Sequence, residues 1–298
     1  MRKVLLLSAL MILLSSASLA QAPLLRGWDG LSEQAYQYVA FGTYPYEKDG
    51  ASAPVLWRVL GPGTPGEEDV VGVYNVTSRK EVLPVTGDDF SGGNDDVFLL
   101  MTEYIIDFLP FHEKKDTEDG GALDYPDSLI RSTLNSDVID RLFTKAEQSA
   151  LVEMPKRGLL SLPSRKGELH REDYGFVNMD FTKSKTRLTT GTPYALAKGM
   201  RTIGGHSWYF TTDWRRYGYR WIVGDDGHIS VSGIDRQGGI RPVCYVHTDM
   251  LACLGGSGTM EDPFRLTVSQ AASSEAAPVP EATVSEASPA QPGAVPVN

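Results

Sequence analysis

A cluster of aromatic and charged side chains in the second half of the chain gives the strongest chemical signal. Three of the five tryptophans lie between His206 and Trp221, with three arginines interleaved among them. Aromatic faces stack on sugar rings or on aromatic ligands, and arginine side chains bind carboxylates or hydroxyls. The candidate ligand-binding residues are Trp208, Tyr209, Trp214, Arg215, Tyr217, Tyr219 and Trp221.

The same aromatic residues could instead fill the core of a β-hairpin. Successive side chains of a strand point to opposite faces, so Trp208 and Phe210 should share one face and Tyr209 should lie on the other. We expect about half of the cluster to be core. Trp214, Tyr217 and the adjacent arginines are expected in a turn, where they would be the most exposed members.

An acidic, glycine-containing segment is a candidate cation site. Asp88, Asp89, Asp95 and Asp96 flank two glycines, and dense carboxylates on a loop suit Ca²⁺, which takes six to eight oxygen ligands. The spacing is not that of an EF-hand, and a solvated acidic loop explains it equally. We therefore predict no cofactor, with calcium as the alternative.

The sequence contains no complete catalytic motif. The nearest approach to G-x-S-x-G is residues 205–209, where Tyr209 replaces the last glycine that a nucleophile elbow needs. The five histidines form no H-E-x-x-H motif, and C-x-x-C is absent. These observations favour a protein without catalytic activity.

Composition bounds the possible partners. The chain has 298 residues, 41% hydrophobic and 22% charged, with a net charge of -10. It can therefore bury an ordinary core. Long-range repulsion makes nucleic acid and anionic membranes poor partners for such an acidic protein.

The two ends of the chain differ from its middle. Residues 1–20 have the basic start, short apolar stretch and small residues of a secretory signal peptide, cleaved after Ala20. The apolar run is too short to span a bilayer, so no membrane span is expected in the mature chain. Residues 269–298 are rich in Ala, Pro, Ser and Val and predict a disordered tail. The protein should be secreted or periplasmic.

The two cysteines, Cys244 and Cys253, are nine residues apart. A structural disulfide is natural in an exported protein and is our prediction. Two free buried thiols, or a catalytic or metal-binding pair, are the alternatives.

The elements that position these residues follow an α+β pattern. Alternating apolar residues predict strands at 35–41, 54–60, 70–76 and 97–101, and then at 207–212, 219–223, 229–232 and 243–247. Apolar residues at intervals of three and four predict helix over 127–152, capped by Asp127, with a second start at Lys145. Turns are expected at 225–227 and 237–239.

Several motifs occur in an order that resembles an uncharacterised bacterial extracellular domain family, a domain of unknown function. The motifs are Phe41-Gly42-Thr43-Tyr44-Pro45, Pro54 to Leu60, Tyr104-Ile105-Ile106-Asp107, Ser128 to Asn135, Thr192-Pro193-Tyr194-Ala195, Trp208-Tyr209-Phe210 and Gly239-Ile240-Arg241-Pro242. Thr211 stands where the family often has arginine, so a ligand contact made by that arginine would be missing.

The family is similar in pattern to C-type-lectin-like and formylglycine-generating-enzyme folds, which combine twisted antiparallel hairpins with a few helices. The resemblance implies an exported bacterial domain that binds a ligand, such as a glycan or another cell-surface component. The alternatives are an enzyme distantly similar to the formylglycine-generating class, whose copper-binding cysteines would correspond to the pair above, and a structural or adhesive domain without a small ligand.

The predicted organisation has five parts. A signal peptide (1–20) and a linker (21–34) precede a single α+β domain (35–250). The segment 251–268 resembles a short element of bacterial surface proteins, and the tail follows at 269–298.

Overall fold

Two antiparallel-rich sheets and a few short helices form the structure, a computed structural model. It describes residues 20–21, 36–63, 96–112, 125–177, 179, 181–216 and 218–269. The predicted α+β class is confirmed. The predicted strand at 70–76, most of the signal peptide and nearly all of the tail lie outside the described residues.

The strands of the described residues are numbered in chain order. They are β1 (Ala20–Gln21), β2 (Tyr38–Pro45), β3 (Ser52–Pro62), β4 (Val97–Thr102), β5 (Asp107–Pro110), β6 (Leu151–Val152), β7 (Tyr209–Arg216), β8 (Tyr219–Val223), β9 (Ile229–Gly233), β10 (Gln237–Ile240), β11 (Val243–His247), β12 (Leu251–Cys253) and β13 (Phe264–Val268).

The larger sheet has the strand order β1-β12-β13-β2-β3-β4-β11-β6, and only the β13–β2 pair is parallel. Five strand spacings separate β12 from β11, which would be about 24 Å in a flat sheet. However, β11 ends at His247 and β12 begins at Leu251, a link that spans at most about 15 Å. The sheet must therefore be rolled.

The predicted helix over 127–152 is shorter and interrupted. It consists of α1 (Leu129–Thr133), a π-helical turn (Leu134–Val138), α2 (Ile139–Leu142) and α3 (Lys145–Gln148), and a later helix is α4 (Pro193–Ala197). Ser128, not Asp127, caps α1, because the Ser128 hydroxyl accepts the Arg131 N–H at 3.3 Å. The end of the predicted helix, at 151–152, is instead strand β6.

The interruption coincides with Asn135. The side-chain amide of Asn135 donates to the carbonyls of Arg157 and Leu160 at 3.1 and 2.8 Å, and its Oδ1 accepts the Leu160 N–H at 3.1 Å. These contacts require glycine at position 158, since a Cβ there would lie 2.3 Å from Asn135 Oδ1. Asn135 thus fastens the 154–160 loop to the helix.

The smaller sheet has the order β5-β10-β7-β8-β9. The predicted turn at 225–227 is confirmed, but residues 237–239 form strand β10 rather than a turn. The glycines of β10 are needed for close packing: a Cβ at Gly238 would lie 2.5 Å from the Trp208 ring, and one at Gly239 would lie 2.6 Å from the Trp208 carbonyl oxygen.

The segment 251–268 is not separate from the domain. Its strands β12 and β13 pair with one another, and β13 also pairs with β2 (Phe264 with Val39, Arg265 with Ala40). The segment that resembles a surface-protein element therefore contributes two strands to the larger sheet. None of the helices within the described ranges is long and apolar enough to cross a membrane.

Candidate functional site

The aromatic cluster divides into a buried and an exposed part. Tyr209 and Phe210 are fully buried, and Trp208 is half-buried with its ring edge-on to Phe210 at 5.3 Å. Tyr209 packs in a different apolar cluster from Trp208 and Phe210, as the alternation predicts. The Tyr209 hydroxyl donates to the Arg187 carbonyl at 3.1 Å. Tyr209 and Phe210 are therefore core residues, and Tyr209 is unsuitable as a ligand contact.

Trp221 lies at the surface beneath two guanidinium groups. The guanidinium carbons of Arg165 and Arg215 are 4.4 and 4.8 Å from centroids of the Trp221 rings. Trp221 is half-buried, Arg215 is exposed, and Tyr219, on the same strand face as Trp221, is 49% exposed. We call Arg165, Arg215, Tyr219 and Trp221 the basic-aromatic face.

Asp213 positions Arg165 on this face. Its carboxylate accepts the backbone N–H of Arg165 and of Lys166, and the Ser164 hydroxyl at 3.2 Å. The loop of Arg165 is thereby fixed against β7. Sequence reasoning missed Arg165 because 56 residues separate it from Trp221 and no local pattern connects them.

Strand β7 extends to Arg216, so Trp214 and Arg215 lie on a strand and not in the turn predicted for them. The backbone of Trp214 pairs with Arg220 of β8. The side chain of Trp214 and the whole of Tyr217 lie outside the described part of the chain. Their role in ligand binding stays a prediction.

The acidic segment is described only at its end. Asp88, Asp89 and Asp95 lie outside the described residues. Asp96 is exposed, and its backbone carbonyl accepts the N–H and the hydroxyl of Thr248 at 2.7 and 3.0 Å. The calcium site stays a prediction.

The predicted disulfide is corrected, since Cys244 and Cys253 both carry free thiols. Cys244 lies on β11 opposite Leu100, whereas Cys253 lies on β12 opposite Leu266. These two strands are not neighbours in the sheet. Burial raises the pKa of the Cys244 thiol above its ordinary value, so this side chain behaves as a core residue.

A second candidate site, which sequence reasoning missed, is a small cleft that opens to solvent and has a cavity volume of about 40 Å³. We call it the tyrosine cleft. Its lining residues are Tyr44, Pro45, Tyr46, Ala53, Pro54, Val55, Leu56, Tyr104, Ile106 and Thr192. Four of the motif segments quoted above meet here, although they are far apart in the sequence. That convergence was the signal that could have indicated the cleft.

The floor of the tyrosine cleft is held by a buried carboxylate. Tyr44 donates its hydroxyl proton to Asp107 Oδ2 at 2.7 Å, and Lys198 forms an ion pair with Asp107 Oδ1 at 2.5 Å. One wall ends at Thr192, whose hydroxyl caps α4 by accepting the Ala195 N–H at 3.2 Å. Burial and the adjacent Asp107 raise the pKa of Tyr44, so its hydroxyl keeps its proton.

The rim of the tyrosine cleft has hydroxyls available to a ligand. Tyr46 and Tyr104 are half-buried, and their hydroxyls make no hydrogen bond to any residue that the structure describes. Burial, followed by the nearby Glu103 carboxylate, raises the pKa of Tyr104. The Tyr104 hydroxyl therefore keeps its proton at neutral pH and can act as a donor.

The arginine of the Gly239-Ile240-Arg241-Pro242 motif is structural. Arg241 is fully buried, and its Nε donates to the Thr102 carbonyl at 2.8 Å. Its Nη1 donates to the Tyr209 hydroxyl at 3.2 Å. Arg241 thus joins β4 to β7 inside the molecule and does not reach a surface ligand.

Comparisons with known proteins give no relative. No family model, no curated protein and no solved structure matches the chain.

Proposed function

We propose that this protein is an exported bacterial binding protein that takes an acidic glycan, or another anionic cell-surface polymer, on its basic-aromatic face. The observation that carries the proposal is the pair of guanidinium groups, from Arg165 and Arg215, over Trp221 at 4.4 and 4.8 Å.

The two arginines bear on the class of ligand. Because guanidinium groups already lie against the Trp221 ring, that ring is less accessible to a neutral sugar than a bare tryptophan would be. The exposed Arg215 presents N–H donors that match carboxylate, sulfate or phosphate oxygens. Tyr219, which is 49% exposed beside them, offers an aromatic surface for a sugar ring. An acidic sugar satisfies both features.

The net charge of -10 is compatible with this ligand. Screening confines electrostatic attraction to about 8 Å at physiological salt, so the local pair of arginines decides binding at the face. Duplex nucleic acid would instead meet the charge of the whole protein. We therefore retain the expectation of no nucleic-acid partner.

The α+β architecture, with twisted hairpins and few helices, is compatible with a C-type-lectin-like or formylglycine-generating-enzyme-like fold, which we propose for the domain. Export to the periplasm or the medium is proposed on the basic and apolar start of the sequence.

A glycan array that contains uronate, sulfated, phosphorylated and neutral glycans tests the function. We expect binding to acidic glycans that weakens with added salt, and roughly tenfold weaker binding for Arg215→Gln. Trp221→Ala and Trp214→Ala should also weaken binding.

Arg236→Gln is the matched control, because Arg236 is also exposed but lies in the turn between β9 and β10. The proposal would be overturned if the protein bound no glycan on the array. It would also be overturned if Arg215→Gln and Arg236→Gln changed binding equally.

A further inference from the structure

The tyrosine cleft plays no part in the proposed function, yet it has the form of a binding site. It is a shallow groove with a cavity volume of about 40 Å³, which suits an extended segment laid across its surface better than an enclosed small molecule. Its wall is made of three tyrosines, two prolines and aliphatic side chains. Recognition grooves for polyproline II segments are built from such rings, which pack against the pyrrolidine rings of the peptide.

The free hydroxyls at the rim fit the same kind of ligand. A polyproline II helix makes no internal hydrogen bonds, so its carbonyl groups are available as acceptors. Tyr46 and Tyr104 supply O–H donors that are uncommitted within the described residues. The cleft therefore combines aromatic rings that can pack against prolines with O–H donors that can bind the peptide carbonyls.

The walls of the cleft are held in place. Tyr46 donates its N–H to the Ala51 carbonyl at 2.9 Å and accepts the Tyr194 N–H at 2.8 Å. Glu103, next to Tyr104, donates its N–H to the Leu56 carbonyl at 2.9 Å. A preformed site of this kind loses little conformational freedom when it binds.

The chain carries a matching segment of its own. The 29 residues that follow Ser269 contain five prolines. Pro289 and Pro292 are three residues apart, which places them on the same face of a polyproline II helix.

The topology directs this segment towards the cleft. Strand β13 runs parallel to β2, with Arg265 opposite Ala40. Ser269 lies four residues beyond Arg265, and Tyr44 lies four residues beyond Ala40. Strand β13 therefore runs in the direction of the end of β2 at which Tyr44 and Tyr46 line the cleft.

We propose that the tyrosine cleft binds the chain's own segment around Pro289 and Pro292 as a polyproline II helix. The twenty residues from Ser269 to Pro289 have an average span of about 25 Å as a flexible chain, and such a tether gives a local concentration of roughly millimolar. A weak contact is then sufficient to keep the cleft occupied.

The first test uses the full-length protein and the NMR signals of the Tyr46 and Tyr104 rings. Pro289→Ala combined with Pro292→Ala should shift these signals. The matched control, Pro278→Ala combined with Pro280→Ala, should leave them in place, because those prolines are two residues apart and cannot share a face. All four prolines lie outside the described residues. Ring signals that are identical in wild type and in both variants would overturn the proposal.

The second test measures binding of a labelled peptide of residues 285–297 to the full-length Pro289→Ala, Pro292→Ala protein. The wild-type protein should bind the peptide at least fivefold more weakly, because its own tail competes. Tyr104→Ala, made in the Pro289→Ala, Pro292→Ala protein, should abolish binding. Phe181→Ala, at an aromatic side chain that is 76% exposed and does not line the cleft, should not.

Peptides of altered sequence test which segment occupies the cleft. A peptide of the same composition with its prolines adjacent should bind poorly. Binding of an unrelated proline-rich peptide, without binding of the tail peptide, would overturn the tail as occupant and favour a segment of another protein.

Discussion

The hydroxyl of Tyr44 donates to Asp107 Oδ2 at 2.7 Å, joining β2 to the first residue of β5 beneath the tyrosine cleft. Asp107 is 1% exposed, so its carboxylate depends on the Tyr44 hydroxyl, the Lys198 ammonium and the Phe108 N–H in place of water. This contact connects the two sheets, because β2 belongs to the larger sheet and β5 to the smaller.

Removal of the Tyr44 hydroxyl should therefore destabilise the fold. Tyr44→Phe leaves a buried carboxylate with one donor fewer, and we expect the free energy of unfolding to fall by about 1.5–3 kcal/mol. Urea unfolding measures the change. Tyr46→Phe, which removes a hydroxyl without a partner in the described residues, should change it by less than about 0.5 kcal/mol. Equal losses in the two variants would contradict the role given to Asp107.

Gly158 tests the contact that fastens the 154–160 loop. Gly158→Ala must strain a backbone with φ of +90° and also displace Asn135, whose Oδ1 would lie 2.3 Å from the new Cβ. Gly50→Ala is a matched control, since Gly50 has φ of +87° but nothing within 4 Å. Backbone strain should lower the free energy of unfolding of each variant by about 1 kcal/mol or more. Thermal unfolding should show a clearly larger loss for Gly158→Ala, and a difference near zero would argue against the Asn135 contact.

Acid should weaken the β8–β9 turn through Asp226. Hydrogen bonds from His228 and then from Lys183 hold the pKa of Asp226 below its usual range. The stabilisation is therefore fully present above the usual carboxyl pKa of about 3.9 and is lost as the pH falls through the lowered value.

Acid titration of unfolding checks this. Asp226→Asn should be less stable than wild type at pH 6, and the difference should shrink below about pH 4. Asp225→Asn, at a neighbour with no ion pair among the described residues, should follow the wild-type curve. A constant difference across the titration would contradict the assignment.

The cysteines give a direct chemical test. Without reductant, both thiols should be alkylated after unfolding in guanidinium. In the native protein Cys253, which is half-buried, should react before Cys244, whose burial raises its pKa. Intact mass after timed alkylation measures both. If neither cysteine is labelled in denaturant, the disulfide predicted from the sequence is present.

Local patterns predicted part of this fold. Strand β11 was placed at its observed bounds, residues 243–247. The predicted helix start at Lys145 is confirmed as α3, whose capping box has Thr144 Oγ1 accepting the Glu147 N–H at 3.2 Å. Such features depend on neighbouring residues, and so the sequence specifies them locally.

Other features depend on distant partners. Residues 237–239 have the composition of a turn, but close packing against Trp208 makes them strand β10. The π-helical turn at Leu134 accompanies the contacts of Asn135 with a loop more than 20 residues away. Arg165 reaches Trp221, and four separate segments meet in the tyrosine cleft, only once both sheets have formed. No spacing rule in the sequence predicts these long-range contacts.

The parallel pair of β2 and β13 has a consequence for the order of events in synthesis. Val39 and its partner Phe264 are 225 residues apart. Contacts of such separation form slowly, because a long loop must close before the contact is gained. Strand β2 cannot pair with this neighbour until the residues between them have been synthesised. Until then, this edge of β2 lacks its β13 neighbour and is open to pairing with other chains.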